Sequence, residues 1–323
     1  MSPRYGMSIP LAEPLGTQLD YLTELQELGY SDLWSSEVSG TDAFTPLAVG
    51  SVLAPRMRLG TAIVSSYTRG PACLAQSAAT IAQLAPGRFY LGVGSSSNVI
   101  VSQWNSIPFD RPLSRTRDLV RFLRQAFAGE KVTETYDTFA VKNFRLDALP
   151  DTPPPILVAG LRERMLRLAG EEADGAILNW LSADDVKAVV PFVRPGGEQK
   201  EVVARIFVCP CPDADAVRAK GREMIAAYLN VPVYREFQKW IGRGEALADM
   251  WRRWDNGDRK GAVSAIPDAV VDELIVHGNP EQCREHLRRY VAGGVDVPVL
   301  AVMPWGVDPR QAARDLRPLG LCD

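Results

Sequence analysis

Histidine is nearly missing from this chain of 323 residues: there are two, His277 and His286, both towards the C-terminal end. A Ser-His-Asp triad or a His-rich metal centre therefore has little to be built from. Cysteine is scarce too. Cys73, Cys209, Cys211, Cys283 and Cys322 form an odd set without framework spacing, and Cys209-Pro210-Cys211 is not a C-x-x-C pair. Reduced structural thiols are expected. No apolar run approaches the roughly 20 residues of a membrane span, and no signal-peptide pattern opens the chain. A cytoplasmic protein without a membrane role is expected. The net charge is only -3 and no long Lys/Arg run occurs, so nothing marks a nucleic-acid partner.

What is present is the composition of a soluble globular enzyme, 46% hydrophobic and 23% charged, on a chain long enough for a large core. Strand-like and helix-like patterns alternate from the start, the signature of an α/β protein with a parallel sheet. Strands are expected at 4–9, 31–36, 59–64, 89–93, 156–159, 175–179, 202–208 and 295–302. Between them, helices are expected at 18–28, 42–53, 73–84, 113–127, 163–172, 184–193, 214–229 and 280–292. Leu19, Leu22, Leu25 and Leu28 line one face of the first helix, and Gly29 stops it. About eight βα units make a (β/α)8 TIM barrel, read as one domain over residues 1–323. Two insertions interrupt the rhythm. Residues 131–147 alternate as a β-hairpin. Residues 230–270, with Trp240, Trp251 and Trp254, are read as a helical insertion covering the barrel mouth or forming a subunit contact.

In such a barrel the chemistry belongs at the C-terminal ends of the strands. The stretch 59–71 begins as a buried strand and ends in Ser65-Ser66-Tyr67-Thr68-Arg69. Glu37 ends the second strand, Gly94-Ser95-Ser96-Ser97 follows the fourth, and Ala159-Gly160-Leu161-Arg162 leads from the fifth into a helix. Helix N-terminal amides and hydroxyls are natural phosphate ligands, and Arg162 or Arg164 adds charge there. Gly92-Val93-Gly94 lacks the third glycine of a dinucleotide fingerprint, so a Rossmann reading is rejected. Asn179-Trp180 ends the sixth strand, and Arg69, Trp104, Asn105 and Trp180 are candidates for a substrate pocket.

The segments S-I-P-L (Ser8–Leu11), L-W-S-S-E (Leu33–Glu37), D-A-F-T-P-L (Asp42–Leu47), R-L-G-T-A-I (Arg58–Ile63) and G-R-F-Y-L-G-V-G (Gly87–Gly94) resemble the bacterial-luciferase-like family. So do M-L-R-L-A-G-E-E-A-D-G (Met165–Gly175) and I-L-N-W (Ile177–Trp180), and the set is most similar to the branch using the deazaflavin coenzyme F420. The resemblance implies a homodimeric (β/α)8 barrel with the deazaflavin ring at its mouth. It also implies a non-prolyl cis peptide at Ala62–Ile63 behind the ring, leaving the other face open.

By the same resemblance Ile9, Glu37, Ala62, Ile63, Gly94, Ser95, Ser96, Ala159, Gly160, Leu161, Arg162 and Asn179 contact the cofactor. Glu37 and Tyr67 are the candidates for proton transfer, with bound water as the third. Relatives that oxidise alcohols often carry His after the acidic residue, where this chain has Val38, and Trp104-Asn105-Ser106 replaces a Trp-His-Gly. The implied activity is a reductase: hydride from reduced F420 to an activated C=C, C=N or C=O bond of a small organic substrate. The alternatives are an FMN-dependent monooxygenase on the same fold and a non-catalytic cofactor-binding barrel. No metal is expected.

Overall fold

The computed structural model describes residues 4–197 and 199–318. Cys322, counted above among the reduced thiols, lies outside them. Eight parallel strands close into a barrel: β1 (Gly6–Ser8), β2 (Asp32–Ser35), β3 (Arg58–Thr61), β4 (Phe89–Gly94), β5 (Ile156–Ala159), β6 (Gly175–Asn179), β7 (Glu201–Cys209) and β8 (Val297–Val302). They follow one another around the sheet, and Gly6 pairs with both Val299 of β8 and Asp32 of β2, which closes the ring. Near-continuous burial of these short apolar runs is what a parallel sheet covered by helices requires. Helices follow the strands, as expected for (β/α)8 architecture.

Packing decides several sequence choices. Trp34 fills the barrel lumen with Leu157, Ile177, Val203, Val297 and Val299. The indole fits because two facing positions lack side chains. A Cβ on Gly60 would stand 2.3 Å from the Trp34 ring, and one on Gly6 2.9 Å from it. Below the indole, Arg58 spans the lumen, donating from Nε to Asp32 (2.7 Å) and from Nη1 to Glu201 (3.0 Å). Tyr90 lies under its guanidinium at 4.3 Å.

Both insertions take the forms their patterns predict. Val132–Thr135 and Ala140–Phe144 pair antiparallel. Residues 230–270 contain the helices Pro232–Trp240, Ala248–Asp255 and Arg259–Ser264, followed by Asp268–Leu274. Trp251 anchors the insertion, its Nε1 donating to the Leu229 carbonyl at 2.9 Å. Four pieces of structure were not anticipated. These are a π-helical segment Val99–Trp104, a 3-10 turn Leu15–Thr17, a strand Ile275–His277 and a helix Pro309–Asp315. Cys73, Cys209, Cys211 and Cys283 are free thiols, the first exposed and the rest buried.

Candidate functional site

The strands end in a cavity of about 610 Å³ at the C-terminal mouth of the barrel. That size and its mixed lining suit a bound cofactor with room for a small substrate. One wall is made of small residues and backbone. After Thr61 strand β3 breaks, the Ala62–Ile63 peptide is cis, and the chain resumes as the short strand Val64–Ser65 beside β4. Ala62, Ile63, Gly94 and Ala159 line this wall. Gly94 keeps it open, since a Cβ there would meet Ala159 Cβ at 3.0 Å and Ile63 Cγ1 at 3.3 Å.

The wall continues into two polar segments. Ser95, Ser96 and Ser97 line the cavity, with Ser96 in the left-handed region at φ 61°. Leu161, Arg162 and Arg164 join them where the helix Glu163–Glu172 begins. The first N–H groups of that helix have no partner inside it, which makes its N-terminus an anion cradle.

Glu37 also lines the cavity, but its carboxylate is engaged. Oε1 accepts hydrogen bonds from the Arg69 guanidinium, at 3.1 Å from Nε, and more weakly from the Ala43 amide at 3.4 Å. Burial opposes the charge on Arg69, but Glu37 and Asp42 among its neighbours together outweigh it, so its pKa rises. Arg69 thus reaches the site through Glu37.

The opposite wall is built of long side chains. Asn179 on β6 and Arg205 on β7 sit side by side in register, joined by Tyr228 and by Tyr234 from the insertion. Among the described residues nothing accepts a hydrogen bond from Arg205 Nε, and Asn179 Oδ1 is likewise buried without a partner. The Arg205 guanidinium rests over the Phe207 ring at 4.8 Å. Burial pulls its pKa below the usual arginine value, with Tyr228 and Tyr234 acting the other way. Tyr234 is pushed upward by burial and by Tyr228, against the pull of Arg205 and of the neighbouring Asn179 amide.

Of the residues singled out from sequence, Glu37, Ala62, Ile63, Gly94, Ser95, Ser96, Ala159, Leu161, Arg162 and Asn179 meet around this one cavity. Seven do not line it: Arg69, which stands behind Glu37, and six others. Ile9 is buried, its amide donating to the Trp34 carbonyl at 2.8 Å. Gly160 is buried behind the wall against Leu166. Tyr67 lies in a separate small pocket with Arg111, Arg115 and Asp137; its hydroxyl donates to the Asp110 carbonyl. Burial lifts that phenol to about 12, opposed by Arg115. Trp104 is 54% exposed, and Asn105 is tied back to the Ile100 carbonyl at 2.7 Å. Trp180, in the left-handed region at φ 57°, packs on Phe207 (4.5 Å) and Tyr228 (5.1 Å). It supports the wall.

Sequence reasoning missed Arg205, Tyr228 and Tyr234. The signal for the first was present: an arginine inside the apolar run Val202-Val203-Ala204-Arg205-Ile206-Phe207-Val208. A charge in a buried strand is costly and calls for a partner.

Fold and cavity together define a (β/α)8 barrel with a cavity at the strand C-termini, the end where enzymes of this architecture place their chemistry. Comparison with known proteins narrows the class. A model of the luciferase-like monooxygenase family matches residues 2–297. The chain belongs to that family. A Mycobacterium tuberculosis protein provisionally named a coenzyme F420-dependent oxidoreductase is 26% identical over 332 residues, spanning 90% of this chain and 91% of that one. The solved structure of the coenzyme F420 dependent tetrahydromethanopterin reductase from Methanopyrus kandleri matches with TM-score 0.80 at 19% identity, over 98% of this chain and 97% of that one. A type II Baeyer-Villiger monooxygenase component from Pseudomonas putida, in complex with FMN, matches with TM-score 0.68 at 14% identity, over 98% and 97%. These two structural likenesses speak for the fold.

Proposed function

We propose that this protein is an F420-dependent reductase acting on an activated C=C, C=N or C=O bond of a small organic substrate. The observation that carries the reading is the asymmetric mouth. One wall is bare backbone and small residues running into an anion cradle, and the facing wall carries polar side chains with unused bonding capacity. A flat, anionic-tailed hydride carrier fits the first wall. Ala62, Ile63 and Gly94 would back its ring, while Ser95, Ser96, Leu161 and Arg162 would hold its tail. Bound there, F420 supplies a hydride; the protein's work is to orient the acceptor and exclude water.

Proton delivery falls to groups that reach the cavity. Tyr67 is spent on Asp110 and Glu37 on Arg69, so Tyr228, Tyr234 or bound water are better placed. The names of the F420-linked relatives support this cofactor, and the FMN-bound structural match supports a second reading, an FMN-dependent monooxygenase. Fluorescence titration of the purified protein with F420 and with FMN separates them. Tight F420 binding is expected, followed by oxidation of reduced F420 when enones, imines or ketones are added. Micromolar FMN binding with none of F420 would overturn the proposal. A homodimer and a cytoplasmic setting accord with this reading, and no helix among the described residues is long and apolar enough to cross a membrane.

A further inference from the structure

We infer that Arg205 is the anchor of a carboxylate-binding site on the substrate side of the cavity, so that the substrate is an apolar organic acid. The inference rests on the reading above for its placing of the cofactor. Taking a guanidinium out of water is costly unless a partner compensates; among the described residues nothing accepts a hydrogen bond from Arg205 Nε, and its neighbours are the Phe207 ring and neutral tyrosines. Internal candidates are already committed. The carboxylates lining the cavity are Glu37 and Glu163; the first is held by Arg69 and the second by Arg167 at 2.9 Å. The counter-charge must therefore come from outside.

Position says which ligand brings it. In an eight-stranded ring β7 stands opposite β3, so Arg205 faces the Ala62–Ile63 wall across the mouth. A ring backed by that wall presents its open face towards Arg205, where an acceptor has to lie. The cofactor's anionic tail belongs to the other side, with Arg162 and Arg164. The neighbours of Arg205 fit one negative charge and not several. Asn179, Tyr228 and Tyr234 are neutral groups able to bond carboxylate oxygens, and the planar guanidinium matches a carboxylate in bidentate fashion. Val231, Val233 and Trp240 from the insertion supply an apolar surface for the rest of the molecule. Arg205 changes no bonds; it binds and orients.

The test is calorimetric titration of the wild type, Arg205→Met and Arg205→Lys with sodium cinnamate and benzoate against cinnamamide and benzamide, with and without F420. Wild type is expected to bind the acids about 10- to 100-fold tighter than the amides. Arg205→Met should lose that preference while F420 affinity stays within about threefold, and Arg205→Lys should keep part of it. Acids that bind no better than amides, or do not bind at all, overturn the proposal. So does an Arg205→Met variant that keeps the preference but loses F420, because the cofactor's own ring would then be the partner. Failure of F420 binding with the acid preference intact in cofactor-free protein would sink the cofactor reading and leave the carboxylate site standing. Thermal unfolding of each variant controls for folding.

Discussion

Two arginines point into the same barrel, and they are treated in opposite ways. At the N-terminal end of the lumen Arg58 is answered by Asp32 and Glu201, and burial is outweighed, so its pKa is raised. At the C-terminal end Arg205 meets no carboxylate among the described residues, its Nε has no acceptor there, and burial lowers its pKa. Trp34 and its aliphatic neighbours separate the two levels. The lower end is closed for stability, with its charges neutralised inside the chain. The upper end leaves a charge uncompensated, which costs stability and makes sense where a ligand completes the balance.

The contrast breaks most easily from below. Arg58→Met would strand Asp32, wholly buried, without its cation and leave Glu201 only Arg4. A loss of about 3–5 kcal/mol is expected, read as a lower urea midpoint at unchanged slope. A loss below about 1 kcal/mol would mean that this end is solvated and that the two arginines differ less than the geometry says.

The small-residue wall makes the next largest claim. Gly94→Val adds a side chain where even a Cβ meets Ala159 and Ile63. F420 affinity should fall about 100-fold, roughly 2.7 kcal/mol, while carboxylate binding at Arg205 changes little. If both fell together, the two walls would be one site without division of labour.

That division also explains what could be read from the sequence. The eight strands were legible because buried parallel strands are short apolar runs separated by helices of period 3.6. The backbone wall was legible because its residues are contiguous in short motifs: Ala62-Ile63, Gly94-Ser95-Ser96, Leu161-Arg162. Of the side-chain wall only Asn179, at the end of the sixth strand, was. Asn179, Arg205, Tyr228 and Tyr234 come from four elements, and only barrel closure puts them together. Tyr67 misled for a related reason. It follows Ser66 in a loop at the right end of the barrel, yet the chain turns its hydroxyl towards Asp110. The strand Ile275–His277 is three residues long, too short to show any period, and it exists because the end of β7 offers Phe207–Cys209 as a pairing edge.

From above, the comparison predicts a change of opposite sign. Arg205→Met removes a half-buried charge that has no ion-pair partner among the described residues, and leaves an apolar chain of similar length. Ligand-free protein should be as stable as wild type or more stable by about 1 kcal/mol, seen as an unchanged or higher melting temperature. Destabilisation of about 3 kcal/mol or more would reveal an internal partner and erase the difference from Arg58.

Between the extremes stands the rim pair of Glu37 and Arg69, whose side chains are 17% and 25% exposed. Neither charge is sealed off, so losing one strands the other only partly. Glu37→Gln should cost about 1 kcal/mol in urea unfolding at low salt, and less at 0.5 M NaCl (about 4 Å screening length) because accessible charges are screened. The same variant decides a chemical question. With one carboxylate oxygen occupied by Arg69, a positioning role for Glu37 predicts that its amide retains F420 affinity and turns over within about tenfold of wild type. A larger drop in kcat, at unchanged KM and F420 affinity, would show that the carboxylate leaves Arg69 during turnover and moves a proton itself.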